Sequence, residues 1–457
     1  MTDQPARPEP RPALPAAGQT EGELPAPTPR QLLLLLIPAL LIGIITALVL
    51  WSLDTASGAL EDVIWTTLPD ALGVDPNGWW IIVVLTTVGL LVGLGLQFLP
   101  GHGGPDSATT ELVGPVLPLK AIPGLLIVTF ISLAGGVSLG PENPIIAVNV
   151  GLTVALLARF MPRVTPQLAM LMAAAGTIGA LFGTPVAAAL LFTGIVAAVR
   201  GGGALWDKLF TPLASAAAGA TTMHVLGAPP LAFTVPEGTV DPIDLPIGIL
   251  IACAAVVIGL IGAYAFPWVH RAFHALRSPI LIAGLGGLVL GILGFIGGPI
   301  TMFKGLEQIG ELLKDPGAYS AGDLALMVAV KLVALLVAAS AAFRGGRVFP
   351  AVFIGVAFGL LAVALIPGLS MGLGIACGVL GIVLVVTRDG WLSLFVAVAM
   401  TGDLAVLPWM TVIVLPAWLL VTRAPEFRIV PKAPPAAEPP QPPEPPTEAA
   451  PKPAANG

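Results

Sequence analysis

Long apolar runs dominate this chain and constrain its fold more than any other feature. Only 10% of the residues are charged, against about 25% in average soluble domains, so the chain cannot cover a water-facing surface. A helix needs about 20 apolar residues to span the hydrocarbon core of a bilayer. The sequence therefore predicts an all-α integral membrane protein. Its apolar runs lie at 31–53, 78–99, 121–139, 164–199, 245–269, 278–303, 324–343, 348–388, 391–402 and 404–422.

Several of these runs have the wrong length for simple membrane spans. The runs at 164–199 and 348–388 are too long for one helix, too short for two full ones, and interrupted by glycines. Broken helices at membrane depth are tolerated only where they pack in protein or line a cavity. A faint repeat, "GTPVAAALLFTG" at 183–194 and "LSLFVAVAMTG" at 392–402, adds to this pattern. We expect two halves, roughly 31–240 and 241–427, with corresponding broken helices around a cavity.

The two ends of the chain differ from the rest in composition. Residues 1–30 and 428–457 are rich in proline and poor in apolar residues, so we expect disordered tails around a membrane domain at 31–427. No cleavable signal peptide is evident, because the N-terminal segment is polar and rich in proline. Clusters of arginine and lysine between the runs favour a cytoplasmic N terminus. The expected location is the cell membrane, with multiple passes.

Several classes of function find no support in the sequence. No basic face suggests nucleic acid as a partner, and no nucleophile–base pair suggests an enzyme. Cys253 and Cys377 lie in apolar runs, where a free cysteine behaves as a small hydrophobic residue. We expect no metal site and no cofactor, because the histidines show no spacing typical of metal ligands; they are His102, His224, His270 and His274.

Glu142 is the only charged side chain between Ala121 and Ala158. The sequence around it, "LGPENP", is typical of a helix start, where proline needs no N–H partner. The free N–H groups of a first helical turn, with the helix dipole, form a site for anions. We interpret Glu142 as a tethered anion that competes with a mobile anion for such a site, which makes it a gate. The alternative is a simple cap at the rim of a helix.

Two other turns share this pattern of glycines followed by proline. "PGHGGPDS" at 100–107 could place backbone N–H groups, and the side chain of His102, around an anion. The alternatives are an ordinary loop, or a His102 that points away from the ion. "FRGGRVFPAVFIG" at 343–355 pairs glycines with Pro350 before an apolar helix. Its Arg347 either attracts anions at an entrance or faces water.

Together these turns resemble the CLC family of chloride channels and proton/chloride antiporters, from about residue 35 to 427. The family motifs GSGIP, GREGP and GIFAP correspond in order to GHGGP (101–105), GPENP (140–144) and GRVFP (346–350). Lys331, upstream of the third motif, also fits the family pattern. The resemblance implies an inverted-repeat membrane fold with broken and re-entrant helices, a homodimer with one pore in each subunit, and chloride or another small anion as substrate.

The resemblance also implies roles for individual residues, with departures from the family. The central ion-coordinating serine falls on His102, Val348 replaces the usual phenylalanine with Phe349 following it, and Phe427 takes the place of the final tyrosine. A phenylalanine ring has no hydroxyl to donate to an ion. The gating residue implied is Glu142. The anion-binding residues implied are Gly101, His102, Gly103, Gly104, Pro105, Gly140, Pro141, Asn143, Gly346, Arg347, Val348, Phe349 and Phe427.

The expected function is passive, channel-like anion permeation gated by Glu142. Family antiporters carry an inner glutamate, but the corresponding position here is Gly194 or Ile195, so an acid for moving protons is missing from that helix. Proton-coupled anion exchange is the alternative, and some members of the family manage without this acid.

A membrane scaffold with partner-binding Pro-rich tails is the alternative from another class of function. We expect no regulatory pair of nucleotide-binding domains after the membrane domain, because the C-terminal tail is short and polar.

Overall fold

Helices are the main secondary structure of the residues that the structure describes. The computed structural model describes residues 26–197, 203–228, 231, 233, 235 and 241–430, and the α-helices lie within these ranges. They are α1 (Pro29–Asp62), α2 (Leu68–Leu72), α3 (Trp80–Phe98), α4 (Ile122–Ala134), α5 (Glu142–Phe160), α6 (Pro166–Phe182), α7 (Pro185–Ala197), α8 (Leu205–Val225), α9 (Leu245–His274), α10 (Pro279–Gly297), α11 (Leu306–Lys314), α12 (Ala321–Ser340), α13 (Val348–Leu365), α14 (Met371–Thr387), α15 (Gly390–Thr401) and α16 (Leu407–Val421).

The lengths of these helices confirm the expectation of a multi-pass membrane protein with incomplete spans. Within the described residues, 8 helical segments are long and apolar enough to cross a membrane. Another set of apolar helices is too short to do so, and α4, α6, α7, α14 and α15 belong to it. Such short helices satisfy their end groups only inside a protein.

The interruptions that the glycines predicted within the long apolar runs are present in the structure. The run at 164–199 divides into α6 and α7 at Gly183, whose φ of 67° lies in the left-handed region that glycine adopts without strain. The run at 348–388 divides into α13 and α14, which are joined by a short connection at residues 366–370. The helix start predicted at "LGPENP" is confirmed, since α5 begins at Glu142.

The two halves of the chain repeat one packing pattern. In the first half α1 packs against α4, α6 and α8, and in the second half α9 packs against α12, α14 and α16. Two further pairs, α3 with α10 and α7 with α15, join the halves. This arrangement confirms the predicted inverted repeat, in which α5 and α13 occupy corresponding places.

Helix α13 carries one side of the candidate site and is held by close backbone contact with α14. A Cβ atom on Gly378 would lie 2.2 Å from the carbonyl oxygen of Gly355, so the two helices meet at a distance that only glycine permits. Small residues at such crossings are typical of membrane proteins, where packing rather than the hydrophobic effect drives helices together.

The tail boundaries differ from those predicted by a few residues. Helix α1 begins at Pro29, because Thr28 and Gln31 form a capping box there. At the other end, the backbone N–H of Ile429 donates to Ala108 O at 2.8 Å, so residues 428–430 belong to the packed region. The remaining tail residues, 1–25 and 431–457, and the predicted boundary of the halves at 240 lie outside the described residues.

Candidate anion site

The side chain of Glu142 lies across the start of helix α13. Its Oε1 accepts a hydrogen bond of 2.7 Å from the backbone N–H of Phe349, the second residue of that helix. The side chain is fully buried. First-turn N–H groups have no partner within their own helix, and the helix dipole makes this end favourable for an anion. The carboxylate, itself an anion, therefore lies at the start of a helix, and this helix belongs to the opposite half rather than being its own helix α5.

A pair of glycines makes room for this carboxylate. Gly140 N donates to Gly346 O at 2.9 Å, and Gly346 N donates to Gly140 O at 2.6 Å, which forms a short antiparallel bridge. A Cβ atom would lie 2.2 Å from Glu142 Oε2 if added to Gly140, and 1.9 Å if added to Gly346. Glycine at both positions is thus a steric requirement for Glu142 to lie where it does.

The second oxygen of this carboxylate has no hydrogen-bond partner among the described residues. Oε2 of Glu142 is buried and makes no hydrogen bond, while Oε1 is satisfied by Phe349. The nearby positive charges of Lys304 and Arg347 act on the group at longer range. A buried carboxylate with one unsatisfied oxygen is held weakly compared with a fully bonded one. This geometry suits a side chain that leaves its position.

Arg347 joins three parts of the chain beside Glu142. Its Nη1 donates to the carbonyl oxygen of Phe427, and its Nη2 donates to Thr110 O at 2.8 Å. The side chain is buried, which contradicts the water-facing alternative raised by the sequence. It fixes the C-terminal segment and the segment after the first motif around the start of α13.

Asn143 reinforces the same junction from helix α5. Its Nδ2 donates to Glu111 O at 3.1 Å and to Thr110 Oγ1 at 3.3 Å. Pro141 is buried directly before this helix. The second motif is therefore tied to the segment that follows the first motif, rather than to the first motif itself.

The first motif differs from the prediction. Gly101, His102, Gly103 and Gly104 all have positive φ angles, of 74°, 50°, 65° and 75°. The chain folds back on itself here, so His102 N donates to Leu99 O and Gly104 N donates to Gly101 O. Residues 104–118, all of them described, contain no α-helix. No α-helix begins at this turn, and the N–H groups of His102 and Gly104 that could have faced an anion are used within the turn.

His102 does not join the cluster around Glu142. The residue is exposed, and its Nδ1 lies 3.1 Å from the carbonyl oxygen of Leu96. Pro105 is exposed as well. This geometry matches the alternative in which His102 points away from the ion.

Ser107, which follows the first motif, lies beside the Gly140–Gly346 bridge, where His102 does not. It is buried, and its Oγ accepts a hydrogen bond of 2.8 Å from Gly345 N, next to the Gly140–Gly346 bridge. Arg344 adds a second tie, since its Nε donates to Gly103 O at 3.1 Å. A hydroxyl in a buried setting normally has such a partner. The only signal in the sequence is a small polar residue shortly after the first motif.

Phe427 lies at the junction, although its ring is part of the apolar core. It stacks on Phe266 with ring centroids 5.2 Å apart, and its carbonyl oxygen accepts from Arg347. The position expected for the family's tyrosine therefore supplies an apolar ring and a backbone oxygen. Val348, at the start of α13, is buried beside it along a shared cavity.

A cavity of about 340 Å³ opens beside the cluster. Both positively and negatively charged side chains line this cavity. The uncharged residues Asn143, Val348, Phe427 and Ile195 line it as well. The charged residues are Glu111, Arg347, Arg388, Asp389, Glu426 and Arg428. A second cavity, of about 520 Å³, reaches Ser107, Asn143 and Gly345 from the side of the first motif. Both cavities share Glu111 and Asn143, so the cluster lies between two spaces large enough for small ions.

Lys331 has a structural position behind this cluster. It is fully buried, and its Nζ donates to the carbonyl oxygens of Thr301, Met302 and Phe303 at 3.0, 2.7 and 2.7 Å. The last of these residues continues the link, since Phe303 N donates to Gly136 O at 3.0 Å. Lys331 thus anchors the loop before α11 to the segment that leads to Gly140.

Comparison with known proteins agrees with this geometry. The family model described as "Voltage gated chloride channel" matches residues 88–422. A protein of Escherichia coli strain 55989, described as "Putative ion-transport protein YfeO", is 44% identical over 407 residues, which cover 88% of this chain and 96% of that protein.

Solved structures share the fold at lower identity. A CLC-type fluoride/proton antiporter aligns with a TM-score of 0.69 at 19% identity, covering 86% of this chain and 97% of that one. A slow cyanobacterial Cl⁻/H⁺ antiporter aligns with a TM-score of 0.73 at 17% identity, covering 87% and 95%. The family match and the identity to the Escherichia coli protein, together with the fold, establish that this multi-pass cell-membrane protein belongs to the voltage-gated chloride channel (CLC) family of anion transport proteins.

Proposed function

We propose that the protein moves chloride or a similarly small anion across the membrane through the position that the Glu142 carboxylate occupies. The observation that carries this proposal is the hydrogen bond from Phe349 N to Glu142 Oε1. A negatively charged group already binds the start of α13, so the same N–H group can bind a mobile anion once the side chain leaves. In this role Glu142 is the gate.

The cavity beside Glu142 supports anion access. Arg347 and Arg388 line it and donate to backbone carbonyl oxygens, and within the described ranges neither has a carboxylate within 4.0 Å. Their positive charge is therefore not cancelled by an adjacent acid. Arg428 is different, because it pairs with Glu111 and Glu426. The cavity is lined by three arginines and three carboxylates, so its charge balances as a whole, but an arginine without an ion-pair partner can attract a small anion locally.

Most members of the predicted anion-binding set divide into three groups. Gly140, Gly346 and Phe349 surround the carboxylate directly, whereas Pro141, Asn143 and Val348 support it from the helix starts. For Gly101, His102, Gly103, Gly104 and Pro105 we propose only a role in shaping the adjoining turn. Contact of any of these residues with an ion stays a prediction.

Proton-coupled exchange is a second candidate that one observation favours. The missing acid on α7 argued for passive permeation, and the position is indeed occupied by Gly194 and Ile195. Yet Glu111, Asp389 and Glu426 line the same cavity as Ile195. Carboxylates from other segments could carry protons through this cavity in place of the family's inner glutamate. The two antiporter structures with the same fold are consistent with this candidate.

The test of the gate is anion efflux from liposomes that contain the purified full-length protein. We expect wild-type flux to vary with pH and Glu142→Gln flux to be nearly independent of pH, because the amide cannot ionise or compete as an anion. Glu311→Gln, on the exposed surface of α11, serves as the matched control and should behave as wild type. Absence of flux for every halide and for nitrate would reject the permeation proposal.

The same liposomes separate the two mechanisms. If the reversal potential shifts with a pH gradient at constant chloride gradient, transport is coupled to protons; if it follows chloride alone, permeation is passive.

The scaffold alternative predicts that removing both tails abolishes function while Glu142→Ala is silent, and the flux assay on those variants decides it. The homodimer implied by the family stays a prediction for cross-linking in the membrane.

A further inference from the structure

Three side chains from distant parts of the sequence converge beside the first motif. His270 and His274 lie one helical turn apart near the end of α9, and Asp106 follows the Gly101–Pro105 turn. Oδ2 of Asp106 is 3.5 Å from His270 Nε2 and 3.6 Å from His274 Nε2. One ligand atom from each residue lies within 4.8 Å of the other two. None of these side chains takes part in the proposed gate.

The hydrogen bonds of His274 determine which of its nitrogens is free. Its Nδ1 lies 3.0 Å from the carbonyl oxygen of His270. A carbonyl oxygen can only accept, so Nδ1 carries the hydrogen and the neutral ring has its lone pair at Nε2. That lone pair faces the Asp106 carboxylate, so these two acceptors need either a proton or a metal cation between them. A histidine that ligates a metal commonly has its other nitrogen fixed in this way.

Two protonated histidines fit this arrangement poorly. The rings of His270 and His274 are stacked, with centroids 3.9 Å apart and planes inclined by 20°. Two positive charges at that spacing repel each other strongly in a partly buried place. One cation shared by both rings and the carboxylate avoids this repulsion. When it binds, it replaces the hydrogen that His270 otherwise donates to Asp106.

Asp106 is oriented and kept ionised for such a role. Its Oδ1 accepts from Ala108 N at 3.1 Å and lies 3.6 Å from Arg344 Nη1, which turns Oδ2 towards the histidines. Burial alone would raise the pKa of Asp106, but the hydrogen bond with His270 and the charge of Arg344 lower the pKa below its ordinary value. The carboxylate is therefore negatively charged at neutral pH.

We propose that Asp106, His270 and His274 form a binding site for a divalent transition-metal cation of the Zn²⁺ type. Two imidazole nitrogens and one carboxylate oxygen are ligands that such cations accept, with a fourth position left to water. Ligand atoms of a tetrahedral zinc site with bonds of about 2.0–2.1 Å lie about 3.3 Å apart. The observed nitrogen–oxygen separations of 3.5 and 3.6 Å are close to this value, and the stacked rings must rotate for both Nε2 lone pairs to point at one ion.

The site is accessible from water. The side chain of His274 is 36% exposed and that of Asp106 is 22% exposed. Nearby on α9, the exposed Trp268 stacks with the guanidinium of Arg271 at 4.2 Å from the ring centroid. Tryptophan and arginine at a helix end are typical of the membrane–water interface. A cation can therefore reach the ligands without crossing the bilayer.

A bound cation would lie close to the proposed anion path. Its effect on transport, unlike metal binding itself, rests on the proposed function. Asp106 directly precedes Ser107, whose hydroxyl binds Gly345 N, and Arg344 directly precedes the same glycine. A cation at Asp106 weakens the attraction between that carboxylate and Arg344. We expect micromolar metal to change the rate of anion flux without abolishing it.

The test is metal binding by the purified full-length protein, prepared with an affinity tag that contains no histidine. Competition with a chromophoric chelator should give about one Zn²⁺ per chain. We expect His270→Gln and His274→Gln to weaken binding by at least about ten-fold, since even changes outside the direct ligands act on that scale. His224→Gln, on an exposed position of α8, is the matched control and should bind as wild type.

A spectroscopic readout keeps the test independent of transport and of folding defects. Co²⁺ added to wild type should give visible bands of a four-coordinate site, and these should be absent from the His270→Gln/His274→Gln double variant that elutes as a folded protein. Wild-type affinity in that double variant, or no saturable binding by wild type, would overturn the site. Binding with unchanged flux would reject only the link to transport.

Discussion

Gly140 and Gly346 exchange two backbone hydrogen bonds, and each lies two residues before a helix of its own half. The bridge holds the starts of α5 and α13 side by side. Because the Glu142 carboxylate lies against both glycines, the bridge also defines the space that this side chain can occupy. Several consequences of this junction can be measured.

Gly346→Ala should displace the Glu142 carboxylate. The added Cβ would lie 1.9 Å from Oε2, a distance that no relaxation of the backbone bridge can accept, so the side chain has to leave. We expect the pH dependence of anion efflux to be lost, as for Glu142→Gln. Gly58→Ala is the control, since a Cβ there has nothing within 4 Å. A variant that keeps the wild-type pH profile would contradict this account of the bridge.

Ser107→Ala should destabilise the junction without changing its charge. The substitution leaves the buried N–H of Gly345 without its partner at 2.8 Å, a loss of about 1–3 kcal/mol. Thermal unfolding in detergent measures the effect. The control is Ser52→Ala, which removes an exposed hydroxyl that donates to Leu48 O on α1. Equal unfolding temperatures for the two variants would show that the Ser107 hydrogen bond contributes little.

Arg347→Lys should weaken the attachment of the C-terminal segment. Lysine keeps the charge but lacks the planar fork that reaches the carbonyl oxygens of Phe427 and Thr110 together. We expect a loss of about 1.5–3 kcal/mol of stability for the missing charged hydrogen bond. Faster proteolysis after residue 421 would report the loosened segment. Arg271→Lys, at an exposed place on α9, should leave both measurements near wild type.

Lys331→Met should be among the most damaging single changes outside the gate. Methionine fills a similar volume but leaves the three carbonyl oxygens of residues 301–303 without a donor. We expect a loss of about 3 kcal/mol or more, seen as a lower yield of folded protein and a lower unfolding temperature. Lys314→Met on the exposed surface of α11 should express as wild type. Normal stability of Lys331→Met would mean that these carbonyl oxygens find other donors.

Much of the fold follows from the sequence, because apolar run length and the position of glycine and proline are local properties. The breaks at Gly183 and between α13 and α14, and the helix start at Glu142, were predicted in this way. The partner of Glu142 could not be predicted, since Phe349 is 207 residues away and belongs to the other half. Pairing of that kind depends on tertiary structure.

The errors at the first motif have a similar cause. Aligning pentapeptides put His102 at the ion, whereas four successive positive φ angles turn that residue outwards and bring Ser107 inwards. The sequence pattern does not indicate that a histidine will adopt a positive φ angle, as His102 does. The expectation of no metal-ligand spacing was incomplete as well, because His270 and His274 have the spacing of one helical turn. Asp106, the third member, lies far away in the sequence.

The two halves match in backbone but not in charge. Glu142 is the first residue of α5, and the corresponding first residue of α13 is Val348. Under the proposed function, an anion that passes this point meets an ionisable side chain at one helix start and an apolar side chain at the other. The two helix starts occupy corresponding places in the repeat, yet they present different chemistry to an anion on the proposed path.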